Sequence, residues 1–243
     1  MKPAVAVAAI ISVAAFTAAA APAGPIAKAM AEPLRTEQDR ALDQDRKPAE
    51  ILSAIHLKPG ERIVDVWPGK YWDMLFSGVV GPKGEVIAWM PDEAAKAEHV
   101  AWPAKGTKLG PNVVAQGGPV NEFTVAQPVD VVWIRQNYHD FYDKFMGPAD
   151  VPGFDRAVFK ALKKGGLFVV IDHAAPAGSD LADTDTTHRI DEARVKRDMK
   201  AAGFSLAGSS DALRNPADPH TANVFDKAIR GHTDQFVLIF RKP

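Results

Sequence analysis

Arg62-Ile63-Val64-Asp65-Val66-Trp67-Pro68-Gly69 is the stretch whose reading decides the fold. It is short, apolar and rich in β-branched residues, and Pro68-Gly69 closes it, which suits a buried strand. Over 70–80, apolar residues at Tyr71, Met74, Leu75 and Val79 follow a helical spacing. Gly81-Pro82-Lys83-Gly84 turns the chain, and Glu85-Val86-Ile87-Ala88-Trp89-Met90 is the next strand. A strand–helix–strand unit of this length implies parallel strands joined by a right-handed crossover. Such units bind ligands at the first strand-to-helix turn, where the helix N-terminus offers free backbone N–H groups.

Upstream of this unit, Pro48 opens a predicted helix whose apolar side is Ile51, Leu52 and Ile55. Lys58-Pro59-Gly60-Glu61 then turns the chain into the central strand. Residues 32–47 carry many charges and few apolar side chains, and read as an extended or loosely helical lead-in. Before them, Lys2 precedes an Ala/Val-rich run with no further charge until Lys28. That pattern is a secretory leader, with small residues for cleavage at Ala18-Ala19-Ala20 and a second candidate at Ala27-Lys28-Ala29. An uncleaved anchor is the alternative, but alanine contributes little to insertion, so export to the periplasm or beyond is expected, with no span left after cleavage. The expected organisation is a signal peptide over 1–29, a lead-in over 30–47 and one domain over 48–243.

Downstream, strands and helices continue to alternate. Helices are predicted over 92–102, 152–162 and 190–202, the last capped by Gly203. Strands are predicted over 112–116, 129–134, 167–171, 204–208 and 235–241, and Lys163-Lys164-Gly165-Gly166 separates a helix from the strand after it. This order argues for α/β layers, and the long connection over 209–234 is compatible with an antiparallel edge hairpin. Within it, 211–222 reads as a surface loop, with a lid over the sheet edge as the alternative.

Composition narrows the function classes. The 243 residues are 47% apolar and 24% charged, which is a globular balance for one domain. A net charge of −1 gives no reason to expect nucleic-acid binding. With 0 cysteines, disulfides, thiolate metal sites and a cysteine nucleophile are excluded.

Taken in order, several segments resemble the class I S-adenosylmethionine-dependent methyltransferases, and more narrowly the exported bacterial members. They are Lys58 through Gly69, Val129-Asp130-Val131-Val132, Asn137-Tyr138-His139-Asp140, Leu162-Lys163-Lys164-Gly165-Gly166, Asp172-His173, His188-Arg189-Ile190-Asp191 and Ala202-Gly203-Phe204. The resemblance implies a doubly wound, mostly parallel seven-stranded sheet with one antiparallel edge strand. It also implies S-adenosylmethionine as cofactor, with Asp65, Gly69, Asp92 and Asn137 around it, and leaves the acceptor open between a small molecule, a lipid and a protein. His139 would then abut the transferred methyl group as a general base, oriented by Asp140 or Asp172. The bland reading of that segment is a helix cap by Asn137 or Asp140.

Two departures from the family pattern stand out. Of its G-x-G-x-G loop only Gly69 remains, followed by Lys70-Tyr71-Trp72, bulky where a backbone needs φ > 0 or close approach to a ligand. Met90-Pro91 occupies the point where the family places a ribose-binding acid, and Asp92 comes two residues late. Asp65 itself is readable as a structural partner of loop N–H groups as well as the edge of a cofactor pocket. Trp67, Trp72 and Trp89 are expected in the core rather than stacked on a ligand. Asp172, His173, His188 and His220 contain no tight spacing such as H-x-x-x-H, so no metal site is assigned to them. A second class of function therefore stays open: a methyltransferase-like domain that binds a small molecule, a metal or a partner without methyl transfer.

Overall fold

The computed structural model describes residues 24–243, so the apolar leader run and the cleavage candidate at Ala18-Ala19-Ala20 lie outside the described residues. Seven strands form one sheet: β1 (Arg62–Val66), β2 (Glu85–Pro91), β3 (Val113–Gly118), β4 (Val129–Arg135), β5 (Leu162–His173), β6 (Ser205–Ser210) and β7 (Gln235–Arg241). Their order across the sheet is β3-β2-β1-β4-β5-β7-β6. β1 pairs in parallel with both β2 and β4, and β5 continues the parallel set. The reversed strand is β7, inserted antiparallel between β5 and β6 at that end of the sheet. This is the Rossmann-like methyltransferase topology. The strand order reverses at β1, whose successor β2 lies on one side and β4 on the other, so a crevice opens beyond their C-terminal ends.

Side chains alternate across the strands and supply a core on each face. One face carries Ile63, Val131, Trp133, Val169 and Ile239, covered by α4 (Pro48–Ile55) and α5 (Lys70–Val80). The other carries Val64, Val66, Val132, Val170 and Leu238, covered by α7 (Val151–Ala161) and α9 (Glu192–Ala201). Asp150 and Asp191 cap these last two helices through their side chains, at Gly153 and Ala193. β5 begins five residues before its predicted start, because Leu162 already pairs with Val129 and the register then shifts across Lys163-Lys164-Gly165-Gly166. Gly165, at φ 78°, makes that irregularity accessible.

The lead-in is loosely helical, in two short pieces, α2 (Glu37–Ala41) and α3 (Asp43–Arg46). Ahead of it, in the stretch read as the end of the signal peptide, α1 (Pro25–Met30) docks on α5. A Cβ built on Gly78 would sit 2.8 Å from the Ala29 Cβ, so the glycine lets the two helices touch. Arg35 is buried and donates to the Met30 carbonyl at 2.9 Å and to Asp43 at 3.1 Å, and the Tyr71 hydroxyl donates to the same Asp43 at 2.6 Å. Periodicity in 32–47 is too weak to show how Arg35 and Asp43 fasten the lead-in to Tyr71.

The surface-loop reading of 211–222 is also corrected in part. Arg189 and Asp218 form a fully buried, bidentate pair at 2.9 and 3.0 Å, and Arg189 also donates to the Ala174 and Ala222 carbonyls. The segment is thereby fastened to the end of β5. Among the described residues no helix is long and apolar enough to cross a membrane.

Candidate functional site

Beyond the C-terminal ends of β1, β4 and β5 lies a cavity of about 410 Å³. Trp67 and Glu98 form one wall, Asn137, His139 and Asp140 the floor, and His173, His188 and Phe225 the far side. The loop after β1 shapes the first wall. Trp67 takes φ 60°, a left-handed conformation that costs a residue with a Cβ about 1–2 kcal/mol. This is the position where glycine would be expected, so the backbone conformation survives with an indole attached. That indole donates to Glu98 Oε1 at 2.7 Å and packs against Phe141 and Phe145.

The bulk assigned to this loop is therefore misplaced in the sequence reading. Lys70, Tyr71 and Trp72 form the first turn of α5, with Gly69 as its N-cap in an extended conformation, φ −132°. Trp72 is buried beside Trp133, ring centroids 4.8 Å apart, and Trp89 is equally buried, as expected of core aromatics. Trp67 is the tryptophan that lines the cavity.

Of the four residues assigned to the cofactor, Asn137 is the one that lines this cavity. Asp65 is buried inside β1, where it accepts a long hydrogen bond of 3.5 Å from the Gly69 N–H and bonds to the Asp73 carboxyl. Burial first, and then the proximity of Asp73, hold Asp65 well above the ordinary carboxylate range. Asp73 is likewise pushed up, by burial. The bond from the Gly69 N–H is the structural role weighed for Asp65, and the raised pKa of both acids favours one proton held between them. Asp92 is exposed at the start of α6 (Asp92–Ala97) and does not reach the cavity; Glu98, just past that helix, does. The shift follows from Pro91, which ends β2 one residue late and turns Asp92 outward.

His139 and Asp140 open a single 3-10 turn after β4, and both are buried. His139 Nδ1 lies 2.8 Å from Asp172 Oδ1 at the end of β5, while its Nε2 lies 3.2 Å from Asp140 Oδ1. Asp172 also accepts from the His139 backbone N–H at 2.9 Å. Burial alone would lower the His139 pKa, but Asp172 and Asp140 outweigh it and raise it to about 10. Both carboxylates beside it favour the protonated imidazole. Burial raises Asp140 too, yet the neighbouring His139 and His188 imidazoles and the Asn137 amide prevail and hold its carboxyl well below the usual carboxylate range. Asn137 donates to it through Nδ2 at 2.9 Å.

The four residues weighed for a metal do not converge as a set. His173 turns to Thr233 Oγ1 at 2.6 Å, and His220 pairs with Asp234 at 3.0 Å. His188 instead joins His139, Asp140 and Asp143, with one ligand-type atom of each within 4.8 Å of the others. Asp143 went unnoticed in the sequence, although H-D-x-x-D over 139–143 places it four residues after His139.

A larger, apolar cavity of about 560 Å³ lies elsewhere, between the lead-in, the outer side of α5 and the segment before β3. It holds none of the histidines.

No family model matches the chain, and no curated protein matches it. Solved structures do. A SAM-dependent methyltransferase from Aquifex aeolicus has a TM-score of 0.53 at 16% identity, over 86% of this chain and 95% of that one. An S-adenosylmethionine-dependent methyltransferase from Mesorhizobium loti gives 0.51 at 15%, over 82% and 99%. The [4+2]-cyclase SpnF gives 0.55 at 14%, over 84% and 81%. The chain thus has the fold of the class I methyltransferases. One of these similar structures is described as a cyclase, so this fold alone does not specify methyl transfer.

Proposed function

We propose that the protein is a methyltransferase-like enzyme that holds S-adenosylmethionine in the cavity beyond β1 and β4 and methylates a small-molecule acceptor. The observation that carries this reading is the cavity itself, which opens at the point where the strand order reverses and is walled by the loop after β1. Trp67 offers a flat face there, Glu98 a carboxylate for hydroxyl groups, and Asn137 an amide. Bound there, S-adenosylmethionine would supply an electrophilic methyl group, and Trp67, Glu98 and Asn137 would hold it for an acceptor. Proximity and alignment are what the protein would contribute to the transfer. The leader sequence adds export to this proposal: Lys2 and the Ala/Val run are read as a periplasmic or secretory signal.

A second reading is favoured by a specific feature. Trp67 brings an indole to the position where a ligand's amino-acid end would need open backbone. In that case the cavity takes a different small molecule and no methyl group moves. Calorimetric titration with S-adenosylmethionine and S-adenosylhomocysteine separates the two. Saturable binding at micromolar concentration supports the first reading, and absence of binding at millimolar concentration moves the assignment to the second.

A further inference from the structure

We propose that His139, Asp140, Asp143 and His188 form a binding site for one divalent transition-metal ion of the zinc type. The site shares its cavity with the S-adenosylmethionine reading, but metal binding is read on the chain alone, so the failure of one does not entail the failure of the other.

The first argument is geometric. Metal–ligand bonds of about 2.0–2.1 Å in a tetrahedral site place neighbouring ligand atoms about 3.3 Å apart. His139 Nε2 stands 3.2 Å from Asp140 Oδ1, and His188 Nδ1 stands 3.6 Å from the same oxygen. The Asp143 carboxylate falls within the 4.8 Å compass of the group, near enough for a small rotation to complete it.

The second argument is what these atoms lack. His139 Nε2 and both Asp143 oxygens are buried without a hydrogen-bond partner among the described residues, and each of these side chains is 2% exposed. A buried carboxylate oxygen left without a partner is destabilising. Two such side chains aimed at one point, beside a third carboxylate and a second imidazole, make a cluster that a dication would satisfy at once.

The third argument is the support behind the ligands. Asp172 holds His139 Nδ1, so that the proton of the neutral ring resides there and the Nε2 lone pair faces the cluster. Asn137 holds the other oxygen of Asp140. Three ligands come from one short turn, 139–143, and the fourth from His188, at the end of α8 (Thr184–Thr187). Mixed imidazole and carboxylate donors favour zinc, manganese, iron or nickel over magnesium and calcium, which prefer oxygen alone. His139, Asp140 and His188 also line the 410 Å³ cavity, so an oxygen-donor small molecule held there would complete the coordination shell.

The test uses the purified chain, stripped with a chelator and dialysed against Zn²⁺, with Co²⁺ as an absorbing substitute. One equivalent of Zn²⁺ per chain is expected, with visible Co²⁺ bands of four- or five-coordinate intensity and a higher Tm with Zn²⁺ than with Mg²⁺. Asp143→Asn and His188→Gln should each weaken Zn²⁺ binding by about tenfold or more, at least the loss seen for the outer partners of metal ligands. His220→Gln, whose imidazole pairs with Asp234, should bind as the wild type does. Asp143→Asn removes a buried charge, so the metal-free variant should be no less stable than the wild type, which separates lost ligation from misfolding. Absence of saturable Zn²⁺ binding below millimolar concentration overturns the proposal, as does binding that Asp143→Asn leaves unchanged.

Discussion

Nδ1 of His139 lies 2.8 Å from Oδ1 of Asp172, tying the turn after β4 to the last residues of β5. The same carboxylate accepts from the backbone N–H of His139 at 2.9 Å and from that of His173 at 2.8 Å. Three donors thus converge on one acid that is completely buried. β5 runs on past the last pairing with β4, Arg135 with Ile171, which brings Asp172 beside the turn that follows β4.

Removing that acid strands a buried imidazole and two N–H groups. Asp172→Ala is expected to cost about 3–5 kcal/mol of stability, the range for breaking one side of a buried pair. Urea unfolding measures it, and a loss below 1 kcal/mol would show that the His139 turn is held by other contacts.

Trp67 is the residue to open. Trp67→Gly relieves the left-handed strain and empties the cavity wall, at the expense of the indole's contacts with Phe141 and Glu98. If S-adenosylhomocysteine occupies this cavity, the variant should bind it about tenfold more tightly, ~1.4 kcal/mol. Trp72→Gly should instead only hollow the core, since Trp72 packs on Phe76 and Trp133. Weaker binding by Trp67→Gly would mean that the indole is itself a ligand contact.

The Asp65–Asp73 pair makes stability depend on pH in a defined direction. Burial raises Asp73 from 3.8 to about 7, so the folded state binds its proton more tightly than the unfolded chain. The stabilisation is complete below about pH 4 and is lost as pH rises through about 7. Asp73→Asn cannot ionise, and should be more stable than wild type by at least about 1 kcal/mol above pH 7, with a flatter profile between pH 4 and 8. Parallel pH profiles for the two proteins would dismiss the shared proton.

Gly78 and Ala29 make the docking of α1 testable. Gly78→Val places a side chain where even a Cβ would lie 2.8 Å from Ala29, and should destabilise by about 1–3 kcal/mol. The contact also bears on leader removal, because cutting after Ala29 would delete α1 from the face of α5. N-terminal sequencing of exported protein is expected to begin upstream of Pro25; a start at Met30 would contradict this.

The elements of the sheet could be read directly. β-branched runs at Ile63, Val86, Val131 and Val169, punctuated by glycine and proline, act over a few residues, and α4, α5 and β7 fall on their predicted bounds. The order of these pieces was enough to identify the Rossmann-like fold. The anchor of the lead-in, Arg35 on Asp43, leaves no periodic trace, so its packing was not legible.

The site needed the tertiary structure. Glycine spacing pointed to the loop after β1, but could not say which residue would take the left-handed conformation, and it is Trp67. Asp65 and Asp73 both stand in the sequence, yet their shared proton depends on burial that no local pattern encodes. Histidines and aspartates scattered over 139–188 carry no ligand spacing as a set. Their convergence follows from where β4 and β5 end and from how Arg189 and Asp218 fasten the following segment. Hydrophobic periodicity is a short-range property and determined the elements. The meeting of polar groups is a long-range one, decided when strands aligned in register bring the ends of distant segments to the same edge.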